Sequence, residues 1–563
     1  MRIGDRRDRT HHGHLARMLL WAGVCLLILA AGVAIGGLGW REFADLLRST
    51  TTRLIRPASK SASVTLPLVI IDMDARSYNE ILVQRGGALS AGVYIPRGQD
   101  FVTATIRLQN GDNPVSIPVR VRLIEGPADH LRQGNKWSFE IRTRQNTRFL
   151  GLERFYLQDP ASNNWINQRA FSRSLEMDGI LTAGCQFVRL TFNGENWGIY
   201  ALQEGFTDEL LVSQGRPGGI VLRFDPDPLW KSIARAGGEL TTVDTDPIGN
   251  LAGSDFQYFE IDTFRDAAIA GSAELATQQG IAVGMLRALQ SGELNASDVF
   301  DVDQYGRFLA LVDLWGASAA ASLVNIRYYY NPETGRLEPI AFNGNPLSSE
   351  ARLALSSTFD DPVIQAAYAR EAARISEPEY LELLQDGLDD DLRTLRASVA
   401  AERPHLGPPW DLLRRRQEHI RFSLETPQHV FAYLGSPTLS NDGVLQIDVG
   451  NVLNLPVEIV GFDIHGTTFL PVDRQWLVVE SREVLVDTAD HVILPASGAG
   501  NTPIVRYVQF DIPLREIHQL DTELELDQDL IVQVATRIWG LPTLRLTPAR
   551  SGYPDILILG GAQ

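Results

Sequence analysis

The sequence predicts an α+β fold: a strand-rich lobe, a helix-rich lobe and a C-terminal β-sandwich, preceded by an N-terminal transmembrane helix. Three observations lead there. Met18 to Trp40 is a run of 23 residues without a charge, enough to cross a bilayer with some tilt. Residues 64–225 read mainly as strands and residues 226–426 mainly as helices, with Asp225-Pro226-Asp227-Pro228 as the hinge between them. From 427 to 563, short apolar runs alternate with turn clusters, the spacing of an antiparallel sandwich.

The N-terminal segments divide as a cytoplasmic tail (1–17), a membrane helix (18–40) and a polar stalk (41–63). Arg2, Arg6, Arg7, Arg9 and Arg17 precede the apolar run, against Asp5 and Asp8. That bias keeps the N-terminus in the cytoplasm and exports the body. A cleaved signal peptide is the other reading, but the run is long for one and no small-x-small site follows it. The chain has 563 residues and a net charge of −18, and the basic tail leaves the body more negative still. Such a body repels nucleic acid, which excludes a nucleic-acid partner. Cys25 and Cys185 are the only cysteines, one of them inside the apolar run. No disulfide framework or zinc spacing results. An exported chain poor in cysteine fits a bacterial cell envelope.

Within the body, Val115–Leu123 alternates apolar and polar side chains after the turn Asn110-Gly111-Asp112-Asn113, the mark of a half-buried strand. A helix is expected from Asn164 to Met177. Phe187–Phe192 and Trp197–Leu202 flank Asn193-Gly194. Asn-Gly between two β-rich runs is the strongest short-range hairpin signal, because both residues tolerate positive φ. A strand runs to Phe224, and helical patterns cover Asp255–Gln290 and Val302–Ala321. The second of these carries Phe308, Leu311, Val312 and Trp315 on one face. A strand pair follows at Ile326–Tyr330 and Leu337–Phe342, then helices through Asp361–Ala400 and Leu412–Leu424. Val444–Val449, Val457–Phe462, Trp476–Val479, Val484–Val486, Val505–Phe510, Leu530–Val534 and Leu544–Leu546 are the expected strands of the sandwich.

Several segments carry a family resemblance. The hairpin run Asn193–Glu204, NGENWGIYALQE, resembles the NGxxxGxYxLxE segment of the spore-coat CotH kinase-like family. Upstream, Gly134–Ile141 resembles that family's lysine-bearing strand. Downstream, Gly218–Arg223, Asn325–Tyr330 and Pro339–Asn345 resemble its GNLYK, NxYLY and PxWDxD segments, in the same order. The resemblance implies an atypical-kinase-like domain over roughly residues 64–425. It further implies that Lys136, Glu204 and Arg223 form a site for nucleotide phosphates, with ATP as the ligand.

The acidic half of that site departs from the pattern. The stretch Ala317–Val324, before the NxYLY-like strand, has no carboxylate, and Asn343 and Asn345 stand at the aspartate positions. Asparagine offers a neutral oxygen, which neither neutralises Mg²⁺ nor serves as a general base. The expectation is a degenerate, pseudokinase-like member that binds an envelope protein or a nucleotide, with Mg²⁺ poorly held at Asn343 and Asn345. Two alternatives compete: an active atypical kinase that phosphorylates exported proteins with acids from elsewhere, Asp313 first among them, and a structural surface scaffold. Asp360-Asp361 and Asp389-Asp390-Asp391 read as solvated turns or helix faces.

Overall fold

In the computed structural model, the described residues run from 66 to 551, less 110–115, 132–135, 145–146, 237–258, 349–360, 436–442, 479–483, 488, 498–504 and 521–529. The apolar run Met18–Trp40, the stalk, the turn at Asn110–Asn113 and Asp360 lie outside them. Among the described residues no helix is long and apolar enough to cross a membrane.

The strand-rich part closes on itself. Seven strands form a barrel in the order Leu68–Asp72, Val102–Gln109, Ser116–Leu123, Phe139–Thr143, Arg154–Gln158, Glu195–Glu204 and Cys185–Phe192. All neighbours are antiparallel except the closing pair, where Leu68–Asp72 runs parallel to Cys185–Phe192. Alternation along each strand fills the interior: Val69, Ile71, Ile106, Val119, Val121, Phe139, Ile141, Phe155, Leu157 and Tyr200 are buried in one cluster. Their intervening neighbours point outward. The hairpin turn Asn193-Gly194 has φ of 47° and 83°, the double positive φ of a type I′ turn. The Asn193 side chain accepts from Met73 N at 2.8 Å, which pins the turn to the end of the first strand.

A second, five-stranded sheet lies against the outside of the barrel. Its order is Ile261–Thr263, Ile220–Phe224, Arg327–Asn331, Arg336–Ala341, Leu181–Thr182. Two of these strands come from before residue 225, so the chain does not part into strand and helix regions at the Asp225–Pro228 break. That break is instead the junction between the strand Ile220–Phe224 and the helix Asp227–Arg235. The strand Ile261–Thr263 also replaces the start of a stretch read as helical. It pairs with Leu222–Phe224, and the helices Asp266–Ala270 and Ala273–Ser291 follow. Tertiary pairing there overrides local pattern.

Helices cover the other face of this sheet. Phe308, Leu311, Val312 and Trp315 are fully buried in the largest core cluster, on the face their spacing predicts. The helix ends at Leu314 rather than near Ala321, because Gly316 takes φ of 53°. The stretch from Asp361 is two helices, Pro362–Ser376 and Pro378–Val399, since a residue before proline leaves the helical region. A third, Trp410–Leu424, packs beside them.

Beyond Thr426 two sheets share one core. One orders Tyr507–Pro513, Val444–Asn451, Val430–Leu434 and Arg550–Ser551; the other is built on Val457–Ile464 and Val532–Ile538. Ile447, Val449 and Phe510 of the first meet Ile459, Phe462 and Val534 of the second. The expected strand at Trp476 is a short 3-10 turn, Arg474–Trp476, capped by the Asp473 side chain. Leu455 and Ile538 also join the helical core, so this region docks on the helices.

Candidate functional site

The outward positions of two adjacent barrel strands carry charged and polar groups that are largely shielded from solvent. In the strand Phe139–Thr143 these are Glu140 and Arg142; in Arg154–Gln158 they are Arg154, Tyr156 and Gln158. Glu140 is 3% exposed. It accepts from Arg122 Nε at 2.8 Å and Arg142 Nε at 2.9 Å, and Arg154 Nη2 lies 2.8 Å from it. Burial alone would raise its pKa, but the guanidiniums of Arg154, Arg122 and Arg142 hold it down at about 2.

The second sheet answers with two more arginines. Arg223 pairs with Glu125 and, at 3.3 Å, with Asp262, its cross-strand neighbour. Glu125 is half-buried, and desolvation would raise its pKa, yet Arg223 and Arg327 lower it. Arg327 is 4% exposed. Its Nη1 donates to Val324 O at 2.7 Å and Ile326 O at 3.0 Å. Three guanidiniums then meet one ring: Arg154, Arg223 and Arg327 lie 5.1, 5.8 and 6.0 Å from the centroid of Phe264. The Nε atoms of Arg154 and Arg327 are buried without a hydrogen-bond partner.

Sequence reasoning anticipated Arg223 here and missed Arg154, Arg327, Glu125 and Glu140. A signal was available: Arg327 interrupts the buried aromatic run Ile326–Tyr330, and Glu140 interrupts Phe139–Ile141. A charge at such a position needs a partner.

The structure does not bring Lys136, Glu204 and Arg223 together. Lys136 Nζ donates to Ile199 O at 2.9 Å and to Glu402 Oε2 at 3.0 Å. Glu402 Oε1 accepts from Ile199 N at 2.6 Å. The acid beside Lys136 is thus Glu402, from the turn after helix Pro378–Val399, and not Glu204. Glycine at 198 makes room for it: its φ is +83°, and a Cβ there would overlap Glu402 Oε1. Glu204 sits five residues past Ile199 on the same strand, about 16 Å away at the usual rise. It lines a 310 Å³ cavity with Arg169, Glu176 and Cys185. There its Oε2 accepts from Gly184 N at 3.0 Å. Burial raises the Glu204 pKa against that hydrogen bond, and burial pushes the Cys185 thiol up to about 11.

Asn343 and Asn345 occupy a turn of left-handed residues, with φ of 49° and 43°, a conformation asparagine tolerates well. Asn343 Oδ1 accepts from Asn163 Nδ2 at 3.2 Å and Gln158 Nε2 at 3.3 Å. Its oxygen is engaged by amide donors. Asp313, the acid expected to compensate, is buried among helices: it accepts from Tyr368 Oη at 2.7 Å and lies 3.7 Å from Arg416 Nη2. Among the described residues no group of three or more His, Cys, Asp or Glu could hold a metal ion.

Residues 126–345 match the family model described as CotH kinase protein. The match supports a CotH-like domain in this part of the chain, which spans four of the seven barrel strands and all of the second sheet. No curated protein matches the chain. The residues fit half of what an ATP–Mg²⁺ pair requires. Cations suited to phosphate are present, while the positions for metal ligands carry neutral amides.

Proposed function

We propose that this chain is a single-pass protein of a bacterial cell envelope whose CotH-like domain binds rather than phosphorylates. The barrel and the helix-covered sheet are its two lobes, and its ligand is an envelope protein partner or a nucleotide. The observation that carries this reading is Asn343: it stands where the family has an aspartate, and its oxygen is taken up by Gln158 and Asn163. Phosphoryl transfer depends on positioning and on neutralising charge, largely through Mg²⁺ held by carboxylates. Asp313, the first candidate to replace them, is committed to Tyr368 and Arg416.

Incubation of the purified protein with radiolabelled ATP, Mg²⁺ or Mn²⁺, and acidic protein substrates is expected to give no labelling above background. Labelling that disappears in Lys136→Ala would overturn the reading. For the anchor, protease added to intact spheroplasts is expected to digest the body. A protected body, or a mature N-terminus that starts after residue 30, would remove the membrane helix from the proposal. The apolar length of Met18–Trp40 and the arginines before it motivate this expectation.

A further inference from the structure

The Lys136 ammonium is already engaged. It donates to Ile199 O at 2.9 Å and to Glu402 Oε2 at 3.0 Å, and the Tyr200 ring lies 5.4 Å away. Glu402 also takes the Ile199 N–H, on Oε1 at 2.6 Å. One carboxylate therefore holds an ammonium and a backbone N–H at once, both through charge-assisted hydrogen bonds. Asp159, the other carboxylate whose field reaches Tyr200, accepts from Ala161 N instead. Ile199 is open to a side chain because the neighbouring stave stops short: Arg154–Gln158 pairs only with Ala201–Glu204. Glu402 arrives on a strap attached to the helical core at both ends. Val399 and Trp410 are buried there, and Leu406 packs against it and accepts from Arg396 Nε at 2.7 Å. Between these anchors residues 400–405 are exposed. Their hold on the rest of the chain is polar: Glu402 on Lys136 and Ile199, and Arg403 5.2 Å from the centroid of the Trp165 ring. An exposed segment tied by polar contacts opens locally at a lower free energy than the cores it joins.

We propose that the strap at residues 400–409 is an autoinhibitory clasp: Glu402 occupies Lys136 and Ile199 N as an internal stand-in for an anionic ligand, and a nucleotide gains Lys136 only when the strap lifts. The inference rests on the nucleotide reading of the domain given above and adds its regulation. Glu402 belongs to the same chain, so it competes at a fixed effective concentration whatever the protein concentration. Ligand affinity then falls by the fraction of time the strap is open. A strap open less than about a tenth of the time weakens binding about tenfold or more. Gly198 leaves the room for Glu402 beside the strand, and release breaks contacts of Glu402 and Arg403 without unpairing any barrel stave.

The test uses the full-length protein in detergent and reads the clasp and the ligand separately. Hydrogen–deuterium exchange of the Ile199 amide reports the clasp. Glu402→Ala is expected to speed it by about tenfold or more, while amides of Cys185–Phe192 keep wild-type rates and thermal unfolding stays cooperative. Calorimetric titration with ATP, without metal, reports the ligand. Glu402→Ala is expected to bind ATP about tenfold or more tighter than wild type. Glu402→Gln is expected to gain part of that, since it keeps an acceptor for Ile199 N and loses the charge on Lys136. Lys136→Met added to Glu402→Ala is expected to abolish the gain. Unchanged Ile199 exchange in Glu402→Ala would overturn the clasp. So would equal ATP affinity in wild type and Glu402→Ala, which makes the contact a structural tie and leaves the nucleotide reading standing. ATP binding by neither, with Ile199 released, would remove the nucleotide reading and the inhibition with it. Loss of cooperative unfolding in both Glu402 variants would assign Glu402 a structural role instead.

Discussion

Glu140→Ala is expected to lower stability by about 3–5 kcal/mol, because breaking a buried ion pair from one side leaves the other side charged and dry. Here the other side is three guanidiniums, Arg122, Arg142 and Arg154. Urea denaturation with the slope unchanged measures the loss. The pH dependence provides a second reading of the same group. The Glu140 carboxyl is held at about 2 in the folded protein, against an ordinary value of 4.5. A depressed carboxyl contributes stability that is complete above the unfolded value and is lost as pH falls through the folded one. Glu140 thus contributes about 3 kcal/mol above pH 4.5 that fades toward pH 2, and Glu140→Ala is expected to flatten that acid limb. A loss below about 1 kcal/mol, the range of exposed pairs, would mean that the three arginines are solvated.

Gly198→Val is expected to cost about 2–4 kcal/mol. Positive φ penalises a side chain by roughly 1–2 kcal/mol, and the displaced hydrogen bonds of Glu402 contribute a similar amount. Any Cβ at 198 meets Glu402 Oε1 and stands 3.1 Å from Lys136 Nζ. A double-mutant cycle separates the two contributions. With Glu402→Ala in place, the clash with Glu402 disappears while the backbone strain and the Lys136 contact remain, so the two substitutions couple. Strict additivity of Gly198→Val and Glu402→Ala would show that Glu402 does not reach the hairpin in solution.

Much of the fold was readable in the sequence wherever the signal was local. Asn193-Gly194 dictates its turn, the apolar face of Val302–Leu314 identifies its own core side, and the strand pair around Arg327–Ala341 follows from its turn residues. What escaped was set by partners distant in the chain. Ile261–Thr263 is a strand because Ile220–Phe224 offers it an edge. Leu181–Thr182 joins the second sheet through a parallel pairing with Ile340 and Ala341, which no nearby residue announces. The candidate site divides in the same way. Lys136, Glu204 and Arg223 carry the right chemistry by type, but their partners were not foreseeable. Glu402 comes 266 positions after Lys136, and the three arginines on Phe264 arrive from separate strands. Asn343 is the exception, since its chemistry was evident from identity alone and geometry added only the donors that engage it.

Barrel closure has a practical consequence for where the molecule is cut. The CotH match begins at residue 126, but Leu68–Asp72, Val102–Gln109 and Ser116–Leu123 precede it and supply three of the seven staves. A fragment started at the family boundary would keep Phe139–Thr143 and Cys185–Phe192 as raw edges, each facing solvent with a row of unpaired amides and carbonyls. Raw edges recruit other chains, and the interior of Phe139, Phe155 and Tyr200 would lie open along the gap. The smallest piece that keeps the ring whole starts at the residues just ahead of Leu68. Catalogue boundaries drawn from sequence similarity therefore undershoot the cooperative unit, and soluble expression of this domain depends on respecting the ring rather than the match.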